Sequence, residues 1–180
     1  QLFLGAGRVF LESERFDRTP LPTNDSQALS GRIGMVSLQV YNAEYVGEMD
    51  NWAATANRMA ARHLLTQADA RILRLLEAYG QLIANTDRHY GNISLVLRGD
   101  DWALSPTYDM LPMLYAPVGG ELVARDFAAR PLQPSAATLG AWMQAKELAV
   151  AFWQTAAQDM RISAGFRAVA ADNLHTLRTL

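Results

Sequence analysis

Residues 66–97 constrain this chain more than any other stretch. Thr66-Gln67-Ala68-Asp69 has the form of a capping box. Ile72, Leu75, Leu76, Tyr79, Leu82 and Ile83 follow at helical spacing, which predicts a long helix with those residues on its buried face. The helix then breaks into a polar octet, Asn85-Thr86-Asp87-Arg88-His89-Tyr90-Gly91-Asn92, before an alternating run over 93–97 that reads as a strand. A polar segment between two core-forming elements is either a solvated loop or a site held on rigid supports.

The flanking sequence favours supports. Residues 102–104 form a second short strand, and Arg98-Gly99-Asp100-Asp101 between the two is a hairpin turn. A second polar loop follows, Ser105-Pro106-Thr107-Tyr108-Asp109. Upstream, residues 7–18 read as a strand running into a connector, with Gly5-Ala6-Gly7 leading straight into it. Pro20, Pro22, Asn24 and Asp25 mark a loop, and residues 31–50 are ambiguous. Residues 52–65 look helical, with Arg58 and Arg62 four apart on a solvated face. Residues 135–160 and 163–180 read as closing helices, with Trp142, Phe152 and Trp153 in the core. The fold class expected is mainly α with short β hairpins that present loops.

Composition removes several functions. Half of the 180 residues are hydrophobic, enough for a sizeable core in one domain or lobe. Without cysteine there is no disulfide framework, thiol nucleophile or Cys-based zinc site, and a reducing cytoplasm is the expected location. No apolar stretch reaches the roughly 20 residues that span a bilayer, so no membrane association is expected. A net charge of −2 with scattered arginines offers no surface for tracking nucleic-acid phosphates. The start at Gln1 suggests a piece of a longer protein.

Asp87 and Asn92 lie five positions apart, and Asp109 follows across the hairpin. A hairpin returns the chain towards its start, so the two polar loops can meet. Two carboxylates and an amide oxygen are hard donors suited to Mg²⁺. A carboxylate left off the metal could take a proton from a hydroxyl. Phosphoryl transfer needs these parts, and Asp-x4-Asn is the spacing of the protein-kinase catalytic loop, with Asp109 in the place of the Asp of Asp-Phe-Gly.

Three motifs in order, "ERFDR" (14–18), "NTDRHYGN" (85–92) and "LSPTYDMLP" (104–112), make the chain resemble the C-terminal region of HipA-type serine/threonine kinases, toxins of bacterial toxin–antitoxin pairs. The resemblance implies the C-lobe of a protein-kinase-like fold, with residues 1–18 as the last strand and hinge of the N-lobe and residues 19–180 as a helical C-lobe. It implies ATP and Mg²⁺ as cofactors, with Asp87 the catalytic base and Asn92 and Asp109 the metal ligands. Glu14 and Phe16 would meet adenine through their backbone, and Asp17 would lie near the ribose. "DRHYGN" also resembles the D-R-H-x-x-N loop of phosphatidylinositol kinases, which implies that His89 supports the transferring phosphate. The partners implied are a protein substrate, an antitoxin subunit that would carry any DNA contact, and a missing N-lobe. The growth arrest typical of this family comes from phosphorylating translation-related proteins, aminoacyl-tRNA synthetases among them.

Other readings remain. Asp87 could be a turn residue after a helix, Asn92 a turn former, Asp109 the cap of a short helix near Met110, and His89 a structural bridge. The chain could be a non-catalytic lobe or interaction module. A dinuclear metallophosphoesterase, suggested by Asp87-x-His89, would need further histidines and an Asn-His pair, whereas only His63, His89 and His175 are present. The single lysine, Lys146, lies beyond every motif, so a phosphate-binding lysine is expected outside these residues.

Overall fold

The computed structural model describes residues 1–19, 31–121 and 123–180. The loop expected at Pro20, Pro22, Asn24 and Asp25 lies outside them. Among the described residues, five α-helices combine with two small antiparallel sheets, a mixed α/β architecture in which helices predominate.

The first sheet is a hairpin of β1 (Leu2–Gly5) and β2 (Arg8–Leu11). Residues 7–18 do run from a strand, β2, into an irregular connector, but Ala6-Gly7 is the turn of a hairpin rather than a lead-in. Ala6 and Gly7 take φ of 48° and 70°, the pair of positive values a two-residue I′ turn requires. Leu2, Phe3, Leu4, Phe10 and Leu11 are all exposed. Apolar side chains on both faces of a two-stranded ribbon form an unusually large uncovered surface.

The second sheet has the order β3-β4-β5, from Met35–Ser37, Ser94–Arg98 and Asp101–Leu104. Hairpin β4–β5 turns at Gly99, whose φ of 65° suits glycine, and Leu95 pairs with Leu104. The ambiguous region 31–50 supplies β3, which pairs Ser37 with Ser94, and α1 (Leu38–Tyr45). This sheet, α1, α2 (Trp52–Ala61) and the first half of α3 (Gln67–Leu82) enclose one core cluster around Leu38, Trp52, Met59, Leu73 and Leu95.

Helix α3 starts where the capping pattern places it: the Thr66 hydroxyl accepts from Asp69 N–H at 3.0 Å. Leu82 and Ile83 of the apolar stripe are fully buried and Leu75, Leu76 and Tyr79 pack against the cores, but the buried face is wider and shifted away from Ile72. Ala70, Leu73, Glu77, Ala78, Gly80 and Leu82 are buried, whereas Ile72 is 44% exposed. Small residues and a glutamate lie inward because two neighbours, α2 and α4 (Trp142–Gln158), pack against α3 from different sides. Arg58 also departs from expectation. Only a quarter exposed, its side chain bonds Asp50 and the Thr55 hydroxyl instead of lying in solvent.

The second core cluster joins α3, α4 and α5 (Ala164–Thr179). Helix α4 begins at Trp142, later than position 135, because residues 139–141 form a 3-10 turn first. Trp153 is fully buried and donates its indole N–H to Leu82 O at 3.0 Å, satisfying a carbonyl at the open end of α3. Phe127, Tyr115 and Phe152 surround it edge-on or tilted, with Phe152 only partly buried. The end of α3, where the octet departs, is thereby fixed. Among the described residues no helix is long and apolar enough to cross a membrane.

Candidate active site

The chain leaves α3 through a Schellman-type turn. Asn85 N–H bonds Gly80 O at 2.8 Å and Ala84 N–H bonds Gln81 O at 3.3 Å, with Ala84 at φ 61°. Glycine is the usual residue here, so a buried alanine stores local strain at the mouth of the octet. Asn85 is 1% exposed and orders the next turn of chain: its Oδ1 accepts from Asp87 N–H at 2.8 Å. Asn92 closes the loop, its Nδ2 donating to Asp87 O at 2.9 Å and reaching Asp87 Oδ2 at 3.4 Å. The amide nitrogen is thus engaged, while among the described residues no protein donor bonds its Oδ1.

His89 is more than half exposed and caps the 3-10 turn of Tyr90–Asn92. Its Nδ1 accepts from Gly91 N–H at 3.0 Å, which leaves Nε2 as the protonated nitrogen of the neutral ring, 3.7 Å from Asp87 Oδ1. A Cβ on residue 91 would sit 2.9 Å from two imidazole atoms, so glycine is what lets the ring lie there. The side chain expected to support a phosphate thus faces the Asp87 carboxylate, beyond hydrogen-bond distance of it.

The octet is bolted to the helices by residues that no sequence motif marks. Glu77, buried on α3, accepts from Arg88 Nε at 3.0 Å and from Trp52 N–H at 3.1 Å. Its charge thereby sits at the N-terminus of α2, where the helix dipole favours an anion. Arg88 also bonds Asn85 O, and a Cβ at Gly80 would come within 2.5 Å of Arg88 Cδ. The Trp52 indole donates to His89 O at 3.2 Å. Tyr90 is buried and its hydroxyl meets the Thr55 hydroxyl and Asp50 N–H. A glutamate in "RLLEAYG" looks like a solvated charge, and only its distant partners reveal otherwise.

The second loop joins the first through Tyr108. Its hydroxyl donates to Gly91 O at 3.0 Å and lies 2.7 Å from Ser94 Oγ, while Met110 Sδ is 3.6 Å from Asn85 Nδ2. Asp109 lies between these two anchors. It is exposed, sits at a strained φ of 55°, and among the described residues its carboxylate has no hydrogen bond or ion pair. It does not cap a helix near Met110; the next 3-10 turn starts at Met113, after Pro112.

The "ERFDR" segment reaches the same node. The Phe16 ring stacks on Tyr108 with centroids 5.9 Å apart and planes inclined by 24°. Asp17 is 8% exposed and clamped, bidentate from Arg15 at 2.8 and 2.6 Å and from Arg18 at 2.6 Å. The Arg15 hydrogen bonds hold its carboxyl well below the usual range, at about 2. Its carboxylate is thus already occupied by guanidinium groups. Among the described residues neither Glu14 nor Phe16 makes a backbone hydrogen bond, and a pocket of about 420 Å³ lies over Glu12, Ser13 and Glu14.

Asp87, His89, Asn92, Asp109, Phe16 and Asp17 thus belong to segments that meet around Tyr108 and Gly91. Among the described residues no three His, Cys, Asp or Glu side chains converge as a metal cluster, so the dinuclear phosphoesterase set has no counterpart. A site of two carboxylates and one amide is a different donor set, and its oxygens suit a hard cation.

The family model for the HipA-like C-terminal domain matches residues 2–175. The chain is 38% identical over 173 residues to Toxin YjjJ of Escherichia coli (strain K12), an alignment that covers 96% of this chain and 37% of that protein. The chain therefore spans little more than a third of the length of the relative it matches.

Proposed function

The chain belongs to the family of HipA-like C-terminal domains, and from that premise we propose that it is the catalytic lobe of an ATP- and Mg²⁺-dependent serine/threonine protein kinase. The observation that carries the reading is Tyr108, which joins the octet by a hydrogen bond and the "ERFDR" segment by a ring stack. One residue links the three segments that a kinase uses for base, metal and nucleotide.

In this reading Asp87 accepts the proton of the substrate hydroxyl as the γ-phosphoryl is transferred. Its carboxylate is accessible, with Asn92 Nδ2 3.4 Å from one oxygen and His89 Nε2 3.7 Å from the other. Asn92 Oδ1 and the Asp109 carboxylate would hold Mg²⁺, whose charge would offset that of the ATP phosphates. Both are oxygen donors without protein partners among the described residues, which fits a hard cation. The backbone of Glu14 and Phe16 would take the adenine edge. Asp17 would serve the ribose only by sharing its carboxylate with Arg15 and Arg18, so a role in holding the segment in shape fits its geometry better.

The kinase-like C-lobe, with residues 1–18 as the end of an N-lobe, belongs to the same proposal. The uncovered β1–β2 ribbon fits a missing N-lobe that would complete the nucleotide site and supply its lysine. Membership in this family, together with a relative named as a toxin, supports a toxin role, an antitoxin partner and a translation-related protein substrate. The test is calorimetry with the full-length protein. Asp109→Ala should weaken Mg-ATP binding by about tenfold or more while leaving metal-free ATP binding nearly unchanged, because it removes an anionic metal ligand. Equal effects on both would remove Asp109 from the metal site.

A further inference from the structure

A small cavity lies between the end of α3, the start of the octet and the segment around Arg130. Its volume is about 190 Å³ and its lining includes Asn85, Thr86, Arg88, Arg130 and Pro131. Its wall mixes polar groups with Ala84 and Pro131 and contains no aspartate or glutamate. Arg88 is partly committed, with Nε on Glu77 and Nη1 on Asn85 O, and its remaining nitrogen has no protein acceptor among the described residues. Arg130 is exposed, and among the described residues no carboxylate lies within ion-pair distance of it. Both Glu77 oxygens are taken, one by Arg88 and one by Trp52 N–H. The Arg88 charge is met by Glu77, so the uncompensated positive charge at the cavity is that of Arg130, with one free Arg88 nitrogen and the Thr86 hydroxyl beside it, one residue before Asp87.

We propose that this cavity is a subsite for an anionic side chain, a carboxylate or a phosphoryl group, on the polypeptide whose hydroxyl faces Asp87. The inference rests on the kinase reading for the identity of that polypeptide, but the binding itself does not. The planar donor fork of Arg130, with the remaining Arg88 nitrogen, can donate to carboxylate and phosphoryl oxygens alike. The volume admits one side chain, and the position next to Asp87 puts its occupant close in sequence to the acceptor residue. Arg130 is the determinant: its exposed side chain can be removed without touching the anchors of the octet.

The test uses nucleotide-free full-length protein, titrated with N-acetyl-phosphoserine amide, N-acetyl-glutamate amide and the uncharged N-acetyl-glutamine amide. Arginine Nε–H resonances report where each binds. At least one anionic probe should bind about tenfold more tightly than the glutamine probe, perturb Arg88 and Arg130, and lose about fivefold or more in Arg130→Ala, with Arg130→Lys losing less because it keeps the charge. Preference for phosphoserine would identify a phosphorylated segment as the occupant, and preference for glutamate an acidic substrate residue. Equal binding of charged and neutral probes, or undiminished affinity in Arg130→Ala, would overturn the proposal. Because no ATP is present, failed phosphoryl transfer leaves this result standing. Robust transfer with an inert cavity would overturn this inference alone.

Discussion

Tyr108 donates its hydroxyl to the Gly91 carbonyl at 3.0 Å, and through that bond the loop carrying Asp109 is fixed against the loop carrying Asp87 and Asn92. The same hydroxyl accepts from Ser94 at 2.7 Å, and the ring lies under Phe16. Tyr108→Phe should keep the stack but leave Gly91 O and Ser94 without this partner, at a cost of about 1–3 kcal/mol. Urea unfolding gives the stability change, and Mg-ATP titration should show a weaker site. A variant as stable and as tight-binding as wild type would mean the loops are aligned by other contacts.

Glu77 is the buried anchor. Glu77→Ala removes the partner of Arg88 and the acceptor at the start of α2, and should destabilise by about 2–4 kcal/mol, with Arg88 retaining some access to water. If Glu77→Ala unfolds at the same urea concentration as wild type, the ion pair contributes nothing and the octet is held by Trp52 and Tyr90 alone.

These anchors explain what was legible in the sequence and what was not. The Thr66 cap and the Gly99 turn are local: each needs only its neighbours in the chain, and both lie where the residues indicated. The hairpin that returns the chain beside the octet was readable for the same reason. Strand β3 has three residues and exists because β4, far along the chain, pairs with it. Helical spacing alone put Ile72 inward, whereas the position of α4 decided which stripe of α3 is covered. Glu77 and Asn85 carry the site but look like ordinary polar residues, since burial of a charge becomes visible only with its partners in place. In β1, "LFLG" has no polar alternation to identify a strand, and both of its faces are uncovered.

Gly91→Ala separates positioning from stability. The added methyl meets the exposed His89 ring, which can swing into solvent at a cost of less than about 1 kcal/mol, since substitutions at exposed side chains seldom cost more. The imidazole then no longer faces Asp87. Phosphoryl transfer by the full-length protein should fall by about tenfold, the scale of a misplaced catalytic group, with Tm nearly unchanged. Unimpaired transfer would show that His89 orients nothing.

Asp17 sets a pH dependence with a definite sign. Its folded pKa, about 2, lies below the ordinary 3.8, so its contribution to stability is full above pH 4 and is lost as pH falls towards 2. Arg15→Ala removes the largest cause of the depression and should raise the Asp17 carboxyl pKa in an NMR titration. It should also reduce the loss of stability between pH 4 and 2 relative to wild type. An unchanged titration would show that Arg18 alone sets the value.

The most direct measurement is transfer of labelled γ-phosphate from Mg-ATP by the full-length protein, wild type against Asp87→Asn. The substitution keeps size and hydrogen bonding but removes the proton acceptor. Wild type should incorporate label into protein, and Asp87→Asn should lose about 100-fold or more, in the range that general-base catalysis contributes. ATP affinity should change by less than about threefold, since Asp87 is assigned to the hydroxyl and not to the metal. Incorporation by Asp87→Asn at the wild-type rate would contradict the claim that Asp87 is the base.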